Sequence, residues 1–402
     1  MRNIAFKEYK RKDDIHGTVL YPAVMVAPVQ KVILKDIINK ENMSVFDPFH
    51  GSGTSLYEAM EISSDTKLIG LDINPLANLI TKVKLQGVSK VISKSISQLK
   101  KMLINTMEIP KHHFPNVEKW FREDVISSLS RIRFCIMRIK TNKDRLFFWC
   151  MFSNIVRKYS NSRSSTYKLH IKQEENIVKM NNNIINDFII LIEKNEKLFR
   201  KKAQSFNLIK GDTLALIKNF QRDEFDICIT SPPYGDNSTT VPYGQFSMLA
   251  LHWIDSKDLE LEGWEMTNYS IIDSKSLGGT ASDLKEYQEN DNLVSPYIEN
   301  ISLKKQVKVK RFFNDYFIFL NEISRVTNSY IVMTLGNRTV DGIKINLTDI
   351  TLKYLKNKNF HLEEEMEREI ISKRIPKRVS RVKNKSVSSM NREYVIVLKK
   401  IK

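Results

Sequence analysis

The segment Asp47-Pro-Phe-His-Gly-Ser-Gly-Thr54 constrains the possible folds of this chain more than any other stretch. It follows the short strand-like run 44–46 and precedes a segment with helical spacing that reaches Met60. Its two glycines let the backbone adopt conformations that other residues avoid, and they let it approach a ligand closely. A helix that begins here would direct unpaired N–H groups and the positive end of its dipole at that ligand. The segment therefore predicts a strand, a ligand-binding glycine loop and a helix.

An acidic residue at the end of the next predicted strand supports the same interpretation. The apolar run 67–74 contains Asp72 near its end, and a helix should follow, with Asn74 as its cap and Pro75 in its first turn. A carboxylate in this place can bind the ribose hydroxyls of a nucleoside cofactor. The loop lacks the lysine of a phosphate-binding P-loop and the third glycine of a dinucleotide fingerprint. A nucleoside cofactor is expected, and a purely structural turn is the alternative.

A second turn, Ser231-Pro-Pro-Tyr234, follows an apolar strand predicted at 226–230. Its two prolines fix the backbone and remove two amide donors, so the turn presents acceptors: the serine hydroxyl and nearby carbonyls. An amino group needs such acceptors to hold its protons and to turn its lone pair toward a methyl donor. The tyrosine offers a flat face for a base taken out of its stack. Alone, the turn could be a rigid connection; together with the glycine loop it indicates amino-group chemistry.

The two turns resemble the signature motifs of the amino-methyltransferases of bacterial restriction-modification systems. The resemblance implies S-adenosylmethionine as cofactor, double-stranded DNA as substrate and Ser231, Pro232, Pro233 and Tyr234 as catalytic residues. The tetrapeptide begins with serine, as in the N4-cytosine group, whereas most N6-adenine enzymes have Asp or Asn there. Methylation of cytosine N4 is therefore expected, with adenine N6 as the alternative.

Other stretches fit the same family. The segment Tyr21–Pro28 resembles the motif that closes over the methionine part of the cofactor, and Asp212 resembles the acidic residue that contacts the cofactor adenine. The full set of cofactor-binding residues that the resemblance implies is Tyr21, Pro22, Asp47, Phe49, Gly51, Gly53, Thr54, Asp72, Asn74 and Asp212.

The resemblance also implies the fold class: an α/β, doubly wound, Rossmann-like class I methyltransferase fold with an antiparallel last strand near 394–398 and the cofactor at the carboxyl ends of the strands. A long, partly exposed strand is predicted at 359–371. Helical spacing at 118–140, 145–158 and 182–201 predicts an insertion. The predicted division is a cofactor-binding half at 1–87, the helical insertion at 88–205, a catalytic-loop half at 206–254, a candidate target-recognition region at 255–311 that contains Gly278-Gly279, and the remainder at 312–402.

The charge of the chain favours a polyanionic partner. The 402 residues carry a net charge of +18 at pH 7, and Lys and Arg neutralise phosphates in nucleic-acid complexes. Basic residues concentrate in three places. Each suits contact with the phosphate backbone of DNA, and the alternative is an ordinary solvent-exposed surface. The three places are Arg131, Arg133, Arg138, Arg157, Lys158 and Arg163 in the insertion, the run 304–311, and Lys373, Arg374, Lys377, Arg378, Arg381 and Lys383.

Several function classes are disfavoured. None of the cysteines at 135, 150 and 228 follows a proline, which argues against carbon-5 methylation of cytosine, and their spacing suits no metal, so no metal is expected. The charged segment 1–14 is unlike a signal peptide, and no apolar run approaches the roughly 20 residues of a membrane span. A cytoplasmic protein is expected.

Two further functions stay open at this point. An RNA amino-methyltransferase would share both turns, although it would more often carry Asp or Asn before the prolines. A non-catalytic DNA-binding protein with a methylase-like core is the other alternative. The chain shows no convincing nuclease or ATPase motif, so modification alone is expected, with a cognate restriction endonuclease as a possible partner.

Overall fold

The computed structural model describes residues 6, 8–106, 108–234, 241–263, 265, 268–275, 277, 283–369, 378–382, 385–388 and 392–401. Its strands are β1 Ser44–Asp47, β2 Lys67–Asp72, β3 Ser205–Lys210, β4 Phe225–Thr230, β5 Thr327–Leu335, β6 Arg338–Val340, β7 Ile343–Ile345, β8 Phe360–Glu369, β9 Arg378–Val382, β10 Lys385–Ser388 and β11 Arg392–Lys400.

The described residues form one seven-stranded sheet in the order β3-β2-β1-β4-β5-β11-β8. Strand β11 runs antiparallel to both β5 and β8, whereas the other neighbouring pairs are parallel. The predicted mixed α/β architecture, the antiparallel last strand and the strand at 359–371 are confirmed. Two hairpins, β6–β7 and β9–β10, stand outside this sheet.

Helices connect the strands. They are α1 Ala27–Ile37, α2 Thr54–Ile62, α3 Pro75–Gln86, α4 Ile92–Asn105, α5 Val117–Trp120, α6 Glu123–Met137, α7 Asn142–Tyr159, α8 Glu174–Val178, α9 Ile184–Asn195, α10 Thr213–Leu216, α11 Tyr243–Trp253, α12 Ile271–Ser274, α13 Lys285–Glu289, α14 Ser295–Ile298, α15 Leu303–Val326 and α16 Leu347–Lys356. Short 3-10 turns lie at Arg11–Asp13, Ile15–Gly17, Glu196–Phe199, Ile217–Asn219 and Asp291–Leu293.

The two faces of the sheet are buried in two separate apolar cores, as the alternation of side chains along a strand requires. On β4, Ile227 and Ile229 pack with α1, α2, α3, α11 and the helices of the insertion. Cys228, between them, packs on the opposite face with α15 and α16. Burial of β4 on both faces explains the continuous apolar run at 227–229.

The insertion is not a separate appendage. Helix α7 packs against α3 and α11, and α6 and α9 pack against α7 in turn. The aromatic side chains of Trp149, Phe152 and Trp253 are fully buried where these helices meet. The segment 88–205 contains helices α4 to α9, and its core is continuous with that of one sheet face; its status as an insertion stays a prediction.

The region 255–311 divides between the two cores. Leu259, Tyr269 and Ile272 belong to the core that holds the insertion. Tyr287 and Val294 belong to the core under α15. Helix α15 runs across the predicted boundary between 311 and 312, and Gly278-Gly279 lies outside the described residues.

The helix predicted at 118–140 is wrong in one respect, because the chain breaks it at Phe121 and Arg122. Phe121 has extended backbone angles, and its ring is buried against Phe114 and Trp253. Arg122 then donates to the carbonyls of Ile177 and Met180. The break lets the Phe121 ring pack in the core against a residue distant in sequence, Trp253. Helical spacing alone does not predict such a contact. Among the described residues, no helix is long and apolar enough to span a bilayer.

We expect Asp258→Ala to lower the free energy of unfolding by about 2–4 kcal/mol, because it leaves two donors of the insertion without an acceptor. Asp258 accepts two hydrogen bonds from the Arg145 guanidinium and one from Trp149 Nε1, each 2.7 Å long. Urea unfolding measures the change. Glu289→Ala, which removes an exposed partner of Lys285, is the control and should change the stability by less than about 1 kcal/mol. Equal effects of the two substitutions would contradict a structural role of Asp258.

Candidate active site

The glycine loop and the double-proline turn leave neighbouring strands at the same edge of the sheet. Strand β1 pairs in parallel with β4, with Val45 opposite Ile227 and Phe46 opposite Cys228. The two loops that follow these strands, 48–53 and 231–234, therefore begin side by side. This is the juxtaposition that a transfer reaction between their ligands would need.

The glycine loop has the conformation that its glycines predict. Gly51 and Gly53 have φ angles of 52° and 73°, in the left-handed region where a Cβ is disfavoured. The Gly51 N–H donates to Asp72 Oδ2 (2.9 Å), and the Asn74 N–H donates to Asp72 Oδ1 (2.8 Å). Asp72 thus joins the loop after β1 to the start of α3. Each of its oxygens keeps a further lone pair for a ligand.

Asn74 connects three segments of the site. Its Oδ1 caps α3 by accepting from the Leu76 N–H (3.0 Å), as predicted. Its Nδ2 donates to the Tyr21 hydroxyl (3.2 Å) and to Ser247 Oγ of α11 (2.8 Å). Tyr21 is buried with Pro22, and its ring edge lies 3.6 Å from the position of a Cβ on Gly51. Burial and the nearby Asp72 raise the pKa of the Tyr21 hydroxyl well above its usual range, so it stays protonated.

A buried carboxyl and a buried hydroxyl lie at the two ends of the glycine loop. Asp47 at the end of β1 is fully buried; its Oδ1 accepts from the Phe49 N–H (3.2 Å). Burial raises the pKa of Asp47 to about 7, although the side chains of Thr230 and Ser55 beside the carboxyl act to lower it. Among the described residues, the buried Thr54 hydroxyl at the start of α2 has no hydrogen-bond partner. Such a hydroxyl could bond with a polar ligand held in the loop.

The remaining predicted cofactor residues flank the loop from the opposite side. The Phe49 ring packs 5.1 Å from that of Phe319 on α15, across the sheet edge from Tyr21. Asp212 caps α10 by accepting from the Leu214 N–H (2.9 Å). The next residue, Thr213, donates from its hydroxyl to the Pro48 carbonyl (2.6 Å) and so ties the loop after β3 to the loop after β1.

The hydrogen bonds of the double-proline turn fix the role of its serine. The Tyr234 hydroxyl donates to the Thr334 carbonyl (3.2 Å), which can only accept. The Ser231 hydroxyl lies 3.0 Å from the Tyr234 oxygen. Because the single tyrosine proton is already used, Ser231 must be the donor in that second bond. Its own lone pairs are then free to accept a hydrogen bond from an incoming amino group.

Residues that the sequence did not single out complete this site. Gln30 of α1 is 1% exposed and donates from Nε2 to Thr334 Oγ1 (3.3 Å); among the described residues its Oε1 has no partner. Arg338 of the β6–β7 hairpin donates to the Tyr234 carbonyl (3.4 Å). Gln30 interrupts the apolar face of α1, a signal that could have marked it. Arg338 offers no local signal, because its role depends on where the hairpin folds.

The histidine at 50 belongs to the packing of the loop. His50 is 2% exposed, its Nδ1 contacts the Gly51 carbonyl (3.0 Å) and its Nε2 contacts Asn78 Oδ1 (3.3 Å). Burial lowers its pKa, so the ring is neutral. Among the described residues, no group of three or more His, Cys, Asp and Glu side chains is arranged to hold a metal ion.

The basic residues proposed for DNA binding differ in their contacts. In the insertion, Arg133 donates to the Trp253 carbonyl and Arg163 to the Ile171 carbonyl, while Lys158 pairs with Asp187. In contrast, Lys304, Lys308 and Arg311 project from the exposed start of α15 and pair with no described residue. Residues Lys373, Arg374, Lys377 and Lys383 lie outside the described residues, and Arg378 and Arg381 fall in β9.

We expect Gly53→Ala to lower the free energy of unfolding by about 2–4 kcal/mol, because it combines backbone strain with a clash. A Cβ on Gly53 would lie 2.6 Å from the Thr81 side chain. Gly342 has a φ of 84° but open space around it, so Gly342→Ala should cost about 1 kcal/mol. Gly263 has neither constraint, so Gly263→Ala should be nearly neutral. Thermal and urea denaturation give the order, and a Gly53 variant as stable as the Gly263 variant would contradict this geometry.

Comparison with known proteins identifies the family. Type II methyltransferase M.MvaI of Kocuria varians is 31% identical over 432 aligned positions, which cover 98% of this chain and 93% of that protein. Type II methyltransferase M.MjaII of Methanocaldococcus jannaschii is 33% identical over 110 positions, which cover 27% of this chain and 19% of that protein. No protein-family model and no solved structure matches the chain significantly. Because the first similarity spans nearly the whole of both chains, this chain belongs to the type II DNA methyltransferases of restriction-modification systems.

Proposed function

We propose that the chain transfers a methyl group from S-adenosylmethionine to the exocyclic amine of a base flipped out of double-stranded DNA, and that this base is cytosine, modified at N4. The observation that carries the proposal is the adjacency of the glycine loop and the Ser231–Tyr234 turn, with the serine lone pairs free to accept from an amine. Membership of a DNA-modifying family favours DNA over RNA, and an active enzyme over a non-catalytic binding protein.

The glycine loop has the features of a site for S-adenosylmethionine, which when bound supplies an electrophilic methyl group on a sulfonium. The Asp72 carboxylate would accept from the ribose hydroxyls, and Asp212 would accept from the adenine amine. The buried Asp47 carboxyl and the unpartnered Thr54 Oγ1 suit the polar atoms of the methionine part. Tyr21 and Pro22 would cover that part from the N-terminal side, and Gly51, Gly53, Phe49 and Asn74 shape the surrounding loop.

The catalytic turn would orient the amine for direct attack, without a covalent intermediate. Ser231 Oγ accepts a hydrogen bond from the amine, and this hydrogen bond turns the nitrogen lone pair toward the methyl donor. Pro232 and Pro233 keep the turn rigid, and neither can donate a backbone hydrogen bond that would compete with the amine. Tyr234 contributes the hydroxyl that orients Ser231 and the ring against which the flipped base can rest.

The choice of cytosine rests on the serine that begins the tetrapeptide, as in the N4-cytosine group. Adenine N6 is the alternative that membership of the family leaves open. The candidate for base-specific contacts is 255–311, with the helical insertion 88–205 as its rival, and a cognate restriction endonuclease is the expected functional partner.

Sequencing of DNA from cells that express the protein, by a method that separates N4-methylcytosine from N6-methyladenine, tests the proposal. We expect N4-methylcytosine at one short recognition sequence, because Ser231 is the acceptor for the amine. Methyladenine at one sequence would overturn the choice of base, and unmodified DNA from cells that contain the folded protein would overturn the proposal as a whole.

Two variants serve as controls for that experiment. Ser231→Ala should leave the DNA unmodified while the purified protein still binds S-adenosylmethionine, because the acceptor lies outside the glycine loop. Asp72→Ala should weaken cofactor binding instead, since it removes a carboxylate that also orders Gly51 and Asn74. The same loss of cofactor binding in both variants would argue against this division of roles.

The start of α15 is the basic surface best placed to hold DNA beside the catalytic turn. Helix α15 leads directly into β5, so its first turns lie at the carboxyl edge of the sheet, where Lys305 pairs with Asp341 of the β6–β7 hairpin. The exposed Lys304, Lys308 and Arg311 follow one another at helical spacing on one side of these turns. Such a stripe matches the charge of a phosphate backbone.

We expect the triple substitution Lys304→Gln, Lys308→Gln and Arg311→Gln to weaken DNA binding and to reduce the slope of log Kd against log salt concentration by roughly 2–3. Titration of DNA at several salt concentrations measures both quantities. Cofactor affinity should not change.

A matched triple variant, Lys40→Gln, Lys67→Gln and Lys356→Gln, removes the same charge from exposed positions. These positions lie just before β1, at the start of β2 and just before β8, and therefore at the opposite edge of the sheet. The matched triple variant should leave the slope of log Kd against log salt concentration nearly unchanged. Equal losses in the two triple variants would indicate a general effect of net charge and would contradict a specific surface on α15.

A further inference from the structure

A lysine is buried directly beneath the glycine loop. Lys84 of α3 is 1% exposed, and its Nζ donates to the Ser52 carbonyl over 2.7 Å. The same Nζ lies 3.3 Å from His16 Nδ1. Lysine is among the side chains least often fully buried, because an ammonium loses its hydration there. None of the residues assigned above to cofactor or base binding accounts for it.

Lys84 is one end of a buried hydrogen-bond network that continues through His16 to Glu58. An ammonium has no acceptor, so His16 Nδ1 must accept from it, and His16 Nε2 then carries the hydrogen that is donated to Glu58 Oε1 over 2.9 Å. Burial and the nearby Lys84 hold the pKa of His16 well below its usual range, which keeps the imidazole neutral. These hydrogen bonds therefore link Lys84 Nζ on α3 to the Glu58 carboxyl group on α2 through a neutral ring, and burial raises the pKa of that carboxyl to about 7.

Helix α3 holds the glycine loop at two consecutive carbonyls. Thr81 Oγ1 donates to the Gly51 carbonyl (3.0 Å), and Lys84 Nζ, one turn later on the same face of the helix, donates to the Ser52 carbonyl. The other end of the Ser52–Gly53 peptide is also fixed, because the Gly53 N–H donates to the His50 carbonyl (2.7 Å). Helix α2 begins at Thr54, immediately after this peptide.

We propose that Lys84 is a positioning residue for the cofactor: its ammonium holds the Ser52–Gly53 peptide, and with it the first turn of α2, in the conformation that binds S-adenosylmethionine. The inference rests on the proposed function, since it takes the glycine loop as the cofactor site. His16 and Glu58 support the lysine and have no contact with the cofactor in this role.

The charge of Lys84 is part of this role. Hydrogen bonds from an ionised donor are about twice as strong as neutral ones, so protonated Lys84 holds the carbonyl more firmly. Burial lowers the pKa of Lys84 to about 7, while Asp14, Cys150 and Glu58 act in the opposite direction, Asp14 most strongly. As the pH rises through 7, Lys84 loses its proton and cofactor affinity should fall.

The other ionisable groups around this hydrogen-bond network come from every element that packs against it. They are Arg11 and Asp14 before α1, Lys31 on α1, Glu58 and Glu61 on α2, His16, and Cys150 on α7. Burial raises the pKa of Asp47, on the other side of the loop, and that of Glu58 to about 7 as well, so a pH profile of the unmodified protein alone does not identify the titrating group.

The first experiment compares the purified full-length protein with Lys84→Met and with Lys82→Met, which removes an exposed lysine from the same helix. Calorimetric titration at pH 6.5 should show a Kd for S-adenosylmethionine about tenfold higher for Lys84→Met, and within about twofold of the original for Lys82→Met. At saturating cofactor, the kcat of Lys84→Met should fall less than about threefold, because the catalytic turn is intact. A Kd for Lys84→Met that equals that of the unmodified protein overturns the proposal.

The second experiment does not depend on the folding of Lys84→Met. Glu58→Gln keeps an acceptor for His16 Nε2 but removes the charge that stabilises the lysine proton. The fall in cofactor affinity with rising pH should therefore shift to lower pH, because the Glu58 carboxylate is one of the charges that raise the pKa of Lys84. Asp47 lies outside this hydrogen-bond network, so its titration would not produce such a shift. An unshifted midpoint overturns the proposal.

The outcomes separate this inference from the proposed function. If the unmodified protein binds no S-adenosylmethionine, the glycine loop is not a cofactor site and both fail. If it binds the cofactor and methylates DNA while Lys84→Met and Glu58→Gln behave identically to it, the proposed function stands and only the positioning role of Lys84 is lost.

Discussion

The parallel pairing of β1 with β4 is the contact on which the rest of the site depends. These strands are separated in sequence by the whole helical insertion, yet they lie side by side in the sheet. Each ends in a loop with a distinct chemistry: positive-φ glycines after β1 and hydrogen-bond acceptors after β4. Because parallel strands direct their carboxyl ends to one edge, the pairing converts two unremarkable turns into one site. The insertion can be accommodated because it packs onto the outer surface of α3 and leaves this edge unchanged.

The direction of two hydroxyl protons then decides what the second loop can do. The Thr334 carbonyl at the end of β5 accepts a hydrogen bond from the Tyr234 hydroxyl. Ser231 must therefore donate to the tyrosine oxygen, and its own lone pairs stay available as acceptors. Gln30, from a helix near the start of the chain, holds the side chain of the same β5 residue, Thr334. The acceptor that an amine would meet is therefore oriented by three separate segments. A serine on a mobile loop could satisfy itself with water and would offer no such fixed direction.

Features encoded within a few residues could be predicted from the sequence, whereas those that need distant partners could not. The glycine loop and the Asn74 cap depend on local backbone preferences, and the structure has both. The antiparallel last strand was predictable because the family resemblance supplies its topology. The break at Phe121 was not, because it depends on burial against Trp253, which lies far away in the chain. Lys84 likewise reads as an ordinary helical lysine until α3 is placed beneath the loop.

If the glycine loop holds the cofactor as proposed, the buried polar groups beside it tie cofactor binding to the stability of the fold. The Asp47 carboxyl and the Thr54 hydroxyl are buried, and the hydroxyl has no partner among the described residues, which lowers the stability of the protein when no ligand is bound. A ligand that supplies the missing hydrogen bonds stabilises the folded state in proportion to its concentration above Kd. The buried ammonium of Lys84 acts at the same loop from the opposite side, where its dehydration also costs stability. A loop flanked by a buried carboxyl and a dehydrated ammonium is costly for stability alone, and under the proposed function a polar cofactor offsets part of that cost.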